Sequence, residues 1–434
     1  MSHSLEAYTD IAGLPAIRQM QRLGEKLRGL RVVHVNSTSE GGGVAEILAW
    51  MVPLMQELGI DTTWKVIRGT PAFFGVTKSI HNGLQGKTVP LTKKDWGIYS
   101  EVNAANISEL REPLEGADVV VIHDPQPAPL LELCPKRKGK WIWRAHIDIS
   151  RPDRSVWKSL RPYVEKYDAS IFSMREFAQA LPHPQFIIAP SIDPLSDKNI
   201  ALDPSELEKE RARFGLDPDR PLLVQVSRFD RFKDPVGVIQ AYQLIRKVLP
   251  VQLVLAGGGA SDDPEGKEIL DEVMGAAGED PDIHVLLLPP DAHRTINALQ
   301  RLADIIIQKS TREGFGLTVT EGLWKGKPVI GGDVGGIKLQ IANHYTGYLV
   351  NTPEGAAHRI RFLLHHQEQM QAMGNRAREF VRENFLLTRQ LREYLTLFAW
   401  LLRGEGKHTI MVVESSPTFT SNLPFSNWTI RWVI

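Results

Sequence analysis

The segment Arg312-Glu313-Gly314-Phe315-Gly316-Leu317-Thr318-Val319-Thr320-Glu321-Gly322 sets two carboxylates eight residues apart around a Gly-Phe-Gly turn. The apolar run Ile305–Ile307 before it reads as a buried strand, and Leu317 to Gly326 reads as a helix. Glycines at a strand-to-helix turn let backbone come close to a ligand, and a helix start offers unpaired N–H groups to an anion. Two acids beside an anion site suit a nucleotide-sugar. Its hydroxyls pair with carboxylates while its diphosphate takes the N–H groups.

Other strand-end loops carry matching chemistry. Val226-Ser227-Arg228-Phe229-Asp230-Arg231-Phe232-Lys233-Asp234-Pro235 places Arg228 and Lys233 where they could converge on a diphosphate, Arg as a planar fork and Lys as a mobile point charge. A solvated basic loop is the plainer alternative. Ser39-Glu40-Gly41-Gly42-Gly43-Val44-Ala45-Glu46 follows a strand and opens a helix, so Gly41, Gly42 and Gly43 are either a ligand loop or a simple turn. Its spacing fits neither a dinucleotide fingerprint nor a P-loop. Leu255-Ala256-Gly257-Gly258-Gly259 is a similar glycine run, either keeping the wall low for a passing nucleotide or forming a simple turn. In Trp143-Arg144-Ala145-His146-Ile147-Asp148, His146 could bond a sugar hydroxyl or supply positive field, or be structural. In His123-Asp124-Pro125-Gln126, Asp124 could hold hydroxyls of a second sugar or merely cap a helix.

These loops need a scaffold, and the chain supplies one. Apolar runs at Arg31–Val35, Val119–Ile122, Trp141–Arg144, Ala169–Phe172 and Phe186–Ala189 form one series. A second comprises Leu222–Val226, Val251–Ala256, Ile283–Leu288, Ile305–Ile307 and Pro328–Ile330. Short apolar strands alternating with amphipathic stretches predict parallel sheets covered on both faces. The expected fold is α/β, with two doubly wound Rossmann-like domains facing across a cleft. Residues 1–192 make the first and 193–384 the second, with a polar linker near Pro190–Asp193 and a helix over residues 198–214. A long helical pattern over Pro353–Arg403 ends the second domain and crosses back, so that residues 385–404 complete the first. Residues 408–434 change character, rich in Ser, Thr and bulky apolar residues, and receive no role.

Composition narrows the function. Lys plus Arg is 51 and Asp plus Glu is 51, which argues against a broad nucleic-acid surface. The single cysteine, Cys134, excludes an internal disulfide or a Cys-rich zinc site. No run approaches the roughly 20 apolar residues of a membrane helix, and no signal-like core opens the chain. A cytoplasmic protein without membrane or nucleic-acid partners is expected.

Arg228 with Lys233, and Glu313-Gly314-Phe315-Gly316-Leu317 with Glu321, resemble the signature of retaining family-four glycosyltransferases of the GT-B fold. Val35 to Glu46, Ile122 to Gln126 and Trp143 to Asp148 narrow the resemblance to the trehalose glycosyltransferring synthases. Those enzymes join glucose from a nucleoside-diphosphate glucose to free glucose and can run in reverse. Trehalose phosphorylases share much of the pattern, and another family-four transferase with a different acceptor is a further alternative. A non-catalytic nucleotide-sugar binder fits poorly with cations placed on a leaving group.

The resemblance implies residue roles. Arg228 and Lys233 hold the diphosphate, with Gly41, Gly42, Gly43 and the backbone of Gly314, Phe315, Gly316 and Leu317 around the donor. Glu313 holds the transferred glucose, Glu321 the ribose, and His146 sits by the donor sugar. Asp124 and Gln126 lie on the acceptor side, and the base rests near Leu287–Asp291. Glu313 and Glu321 then position hydroxyls and are not a nucleophile and acid pair of the glycosidase kind. No metal or other cofactor is required at the reacting centre. Asp217-Pro218-Asp219 and Asp280-Pro281-Asp282 precede their strands and should lie at the opposite end of the sheet. The base preference, Mg²⁺ stimulation, preferred direction and oligomeric state, a homodimer among the options, are left open.

Overall fold

The computed structural model describes residues 3–40, 42–258 and 264–402. Gly41, Gly259 and the 408–434 tail lie outside the described residues. The chain divides into two compact units: Met1–Ser191 with the chain from Leu386 onward, and Ile192–Phe385.

In the first unit β1 (Arg31–Asn36), β2 (Asp61–Val66), β3 (Val119–His123), β4 (Lys140–Arg144), β5 (Ala169–Phe172) and β6 (Gln185–Ile187) form one parallel sheet ordered β2-β1-β3-β4-β5-β6. In the second, β7 (Leu222–Val226), β8 (Gln252–Gly258), β9 (Ile283–Leu288), β10 (Ile305–Gln308), β11 (Val329–Gly332) and β12 (Gly347–Val350) form another, ordered β12-β11-β10-β7-β8-β9. Both are doubly wound α/β sheets. β3, β5, β7 and β10 are buried along their whole length, as strands covered on both faces must be. The winding reverses between β1 and β3, and between β7 and β10. At such switch points the strand-end loops diverge and leave room for a ligand.

Sequence patterning missed β2 and β12. Both are edge strands, and β2 mixes polar with apolar residues because much of it is only half-buried. The helix expected over residues 198–214 begins at Pro204 and ends at Arg213. Asp203 sets its start: its carboxylate accepts from the Ser205 N–H, Glu206 returns the bond, and Pro204 occupies the first turn. The pattern over Pro353–Arg403 is three helices, Pro353–His365, Gln367–Asn384 and Leu387–Leu402. The last packs on helices Leu14–Lys26 and Gly43–Glu57 of the first unit. Among the described residues no helix is long and apolar enough to cross a membrane.

Candidate active site

In the second unit the cationic loop leaves β7 and the Gly-Phe-Gly turn leaves β10, the two strands at the switch point. Asp230 caps a 3-10 turn, Arg231–Lys233, by accepting from the Phe232 N–H. Asp234, in the left-handed region at φ 50°, caps helix Pro235–Arg246. This local geometry turns Lys233 onto Glu313: its Nζ donates to Oε2, and Ser310 Oγ lies 3.4 Å from the same oxygen. Lys309 Nζ pairs in turn with Asp234 Oδ2. Lys233, expected as a mobile point charge, is fixed in a pair with side chains 19% and 10% exposed. Arg228 remains exposed, 3.8 Å from Asp230.

Helix Leu317–Trp324 starts at Gly316, whose φ of 83° favours glycine, and no side chain caps that end. The N–H groups of Leu317 and Thr318 face the end where an anion can bind, while that of Val319 already donates to the Gly316 carbonyl at 2.9 Å. Glu321 is its fifth residue, buried, and its Oε2 accepts from Gln300 Nε2 at 3.2 Å. As the fifth residue it lies just beyond the first turn, where the helix dipole contributes little. Phe315, whose backbone is expected around the donor, keeps its ring buried, 5.7 Å from that of Phe385. Its carbonyl accepts from Gln340 Nε2, so backbone is what this residue can offer. Gly335 and Gly336 were not singled out from sequence. A Cβ on Gly335 would stand 1.8 Å from the Glu313 carbonyl oxygen, and one on Gly336 2.5 Å from that of Gly314. Their signal was a Gly-Gly pair after β11, easily read as an ordinary turn.

Gly257 has a packing reason too: its Cβ would meet the Ser227 carbonyl at 2.0 Å. Close contact between the ends of β7 and β8 therefore needs glycine at this position. Leu287, on the strand end expected to face the base, is 55% exposed. The Asp-x-Asp triplets lie at the amino ends of β7 and β9. There Arg220 bonds Asp217 at 2.9 Å and Asp282 at 2.8 Å. Among the described residues no cluster of His, Cys, Asp or Glu could hold a metal.

In the first unit three histidines form a line: His34 within β1, His123 at the carboxyl end of β3 and His146 just past β4. His34 Nδ1 lies 3.0 Å from His123 Nε2, and His123 Nδ1 lies 2.9 Å from His146 Nε2. Burial pushes His34 down to about 3. Burial first, then neighbouring charge, holds His123 and His146 well below the usual range. Burial and the Arg144 charge both disfavour an imidazolium at His146, which favours the hydrogen-bonding option over the positive-field one. His34 was missed from sequence; a histidine inside the apolar run Val32-Val33-His34-Val35 was the available signal.

Asp124 adopts φ 64°, and its Oδ1 accepts from the His146 backbone N–H at 2.8 Å. It caps no helix, since the following 3-10 turn is preceded by Pro127. Burial raises its pKa to about 6, partly offset by that N–H and by Arg144. Gln126 accepts from Asn103 through its backbone at 3.0 Å, while its buried side-chain oxygen has no partner among the described groups. Gly42 is extended at φ −156° and Gly43 opens helix Gly43–Glu57.

Residues 34–179 match the family model described as trehalose synthase, N-terminal domain, and residues 206–380 that of glycosyl transferases group 1. A structure described as trehalose-6-phosphate from E. coli bound with UDP-2-fluoro glucose shares the fold, with a TM-score of 0.70 at 14% identity, over 87% of this chain and 99% of that one. Fold and site together define a glycosyltransferase of the GT-B class. The trehalose synthase of Thermococcus litoralis is 49% identical over 398 residues, 91% of this chain and 96% of that protein. The chain belongs to the trehalose synthase family, and it is a hexosyltransferase. A trehalose phosphorylase of Pleurotus pulmonarius is 31% identical over 81% of this chain but only 54% of its own length.

Proposed function

We propose that this protein is a cytoplasmic, retaining glucosyltransferase that makes trehalose from a nucleoside-diphosphate glucose and free glucose, reversibly. The observation that carries this reading is the 49% identity to a trehalose synthase across nearly the whole length of both chains. The charged site after β7 and β10 supports it: cations, an uncapped helix start and two buried carboxylates suit a sugar diphosphate.

In this reading the bond from the glucose anomeric carbon to the β-phosphate oxygen breaks as the acceptor oxygen bonds the same face. The acceptor proton passes to the β-phosphate oxygen. Arg228, Lys233 and the N–H groups at Leu317 and Thr318 stabilise the charge that develops on the leaving diphosphate. Glu313 and Glu321 hold hydroxyls of glucose and ribose, and Glu313 exchanges its bond to Lys233 for one to the sugar. Asp124 and Gln126 serve the acceptor. The chemistry asks for no metal at the reacting carbon.

Product analysis with several nucleoside-diphosphate glucoses and glucose tests the reading; trehalose and free nucleoside diphosphate are expected. The phosphorylase relative supports a second reading. Incubation with trehalose and either inorganic phosphate or a nucleoside diphosphate separates them, because only a phosphorylase releases glucose-1-phosphate.

A further inference from the structure

The three-histidine line contains more order than one sugar contact requires. A neutral imidazole has one N–H and one bare nitrogen, and each ring-to-ring contact needs one of each. With three neutral rings and two contacts, the N–H groups must all point the same way along the line. In one polarity His34 donates to His123 and His123 to His146, which leaves a proton on His146 Nδ1. The reverse leaves a bare Nδ1 on His146 and an N–H on His34 Nε2.

His34 Nε2 is buried and has no hydrogen-bond partner among the described groups. A buried N–H without an acceptor is the rarer and costlier defect, whereas a bare ring nitrogen is a weaker loss. The charged neighbour agrees. Arg144 is fully buried, can only donate, and its charge opposes any additional proton on His123 or His146. The backbone fixes the last ring independently, since the His146 N–H is held by Asp124 Oδ1 and the Asp124 N–H by the Arg144 carbonyl at 2.8 Å.

We propose that His34 and His123 are positioning residues that fix His146 in the tautomer whose Nδ1 carries the proton. His146 then presents a hydrogen-bond donor of set direction, and not a base or a cation, to an oxygen of the bound sugar. The sugar as the recipient rests on the proposed function; the tautomer does not. His34 and His123 need touch no substrate to matter, because rotating or re-protonating His146 would turn an acceptor toward that oxygen.

Long-range proton–nitrogen correlation spectra of the unaltered, ring-labelled protein read the tautomer directly. The His146 signal is expected to show a protonated Nδ1 and a bare Nε2, unchanged on lowering to about pH 6. A protonated Nε2, or an imidazolium, overturns the proposal. In turnover, His123→Phe should lower kcat by roughly ten- to a hundredfold, as loss of a partner behind a working ring does. His123→Asn, whose amide nitrogen stands near the former Nδ1, should recover most of that loss. In a His146→Ala background, His123→Phe should cost less than about twofold more, because the two act through one group. Fully additive losses would sink the idea. If His123→Phe does not fold, the spectra alone decide. If no donor yields trehalose, the proposed function fails while the spectra still judge the tautomer.

Discussion

Lys233 and Glu313, 80 residues apart in sequence, form an ion pair between the loops that leave β7 and β10. Their neighbours Asp234 and Lys309 form a second. Two consecutive residues of one loop thus grip two residues of the other, at the point where the sheet reverses its winding. The two pairs tie Glu313 and the approach to the Gly-Phe-Gly turn to the β7 loop.

Lys309→Met should show what that grip contributes. The Lys309 side chain is 6% exposed and that of Asp234 24%, so the change leaves a largely buried carboxylate unpaired. A loss of about 3 kcal/mol in urea unfolding is expected. An unchanged midpoint would mean the second pair is idle.

Arg228 calls for a different outcome. Its side chain is 65% exposed with one distant partner, so Arg228→Ala should leave stability alone. With saturating donor, kcat should fall about a hundredfold, as for loss of one electrostatic donor at a developing charge. Near-normal turnover would remove Arg228 from the leaving group.

In the proposed mechanism Glu313 positions the sugar and does not attack it. Intact mass spectrometry of protein quenched during turnover should therefore find no covalent hexosyl adduct. An adduct mapped to Glu313 would replace the same-face substitution with double displacement.

Gly335→Ala should damage the site through backbone. The new Cβ would lie 1.8 Å from the Glu313 carbonyl at a residue whose φ is 41°. More than about 1 kcal/mol of stability should go, and donor turnover with it. Gly275→Ala is the control: its helix position faces open space, and a gain of about 0.5–1 kcal/mol is expected.

Acid should unfold the first unit early. His34 is held at about 3, and His123 and His146 well below 6.5, so the native state binds fewer protons than the unfolded chain there. Their contribution is complete above 6.5 and is lost as pH falls, by up to about 1.4 kcal/mol per pH unit per ring. Asp124, raised to about 6, works in the opposite sense: its contribution is present at low pH and is lost as pH rises from about 4 to 6. Three rings outweigh one carboxyl. In pH-dependent chemical denaturation, His34→Asn should flatten the slope below 6.5 and Asp124→Asn should steepen it; parallel curves would refute the assignment.

The strand–turn–helix around Glu313 was legible because each part has its own sequence mark: an apolar run, two glycines and a helical stretch. The same holds for β7 and its cationic loop. The edge strands were not, since β2 is only half-buried for most of its length and β12 has four residues. The pairing of Lys233 with Glu313 could not be read, because nothing local joins residues so far apart. His34 was invisible for another reason. One polar residue in a buried strand states that it needs a partner and leaves the partner unnamed.

Helix Leu387–Leu402 belongs to the first unit although the whole second unit precedes it in the chain. Its Arg389 pairs with Glu393, donates to the carbonyls of Ala189 at 2.8 Å and Pro190 at 3.0 Å, and sits beside Gln390, which accepts from Ser191. On the ribosome, the unit begun first is therefore finished last. The continuous Ile192–Phe385 unit can close while Leu14–Lys26 and Gly43–Glu57 still wait for their cover. Proteolysis of chains stalled at about residue 385 should cut the first unit and spare the second.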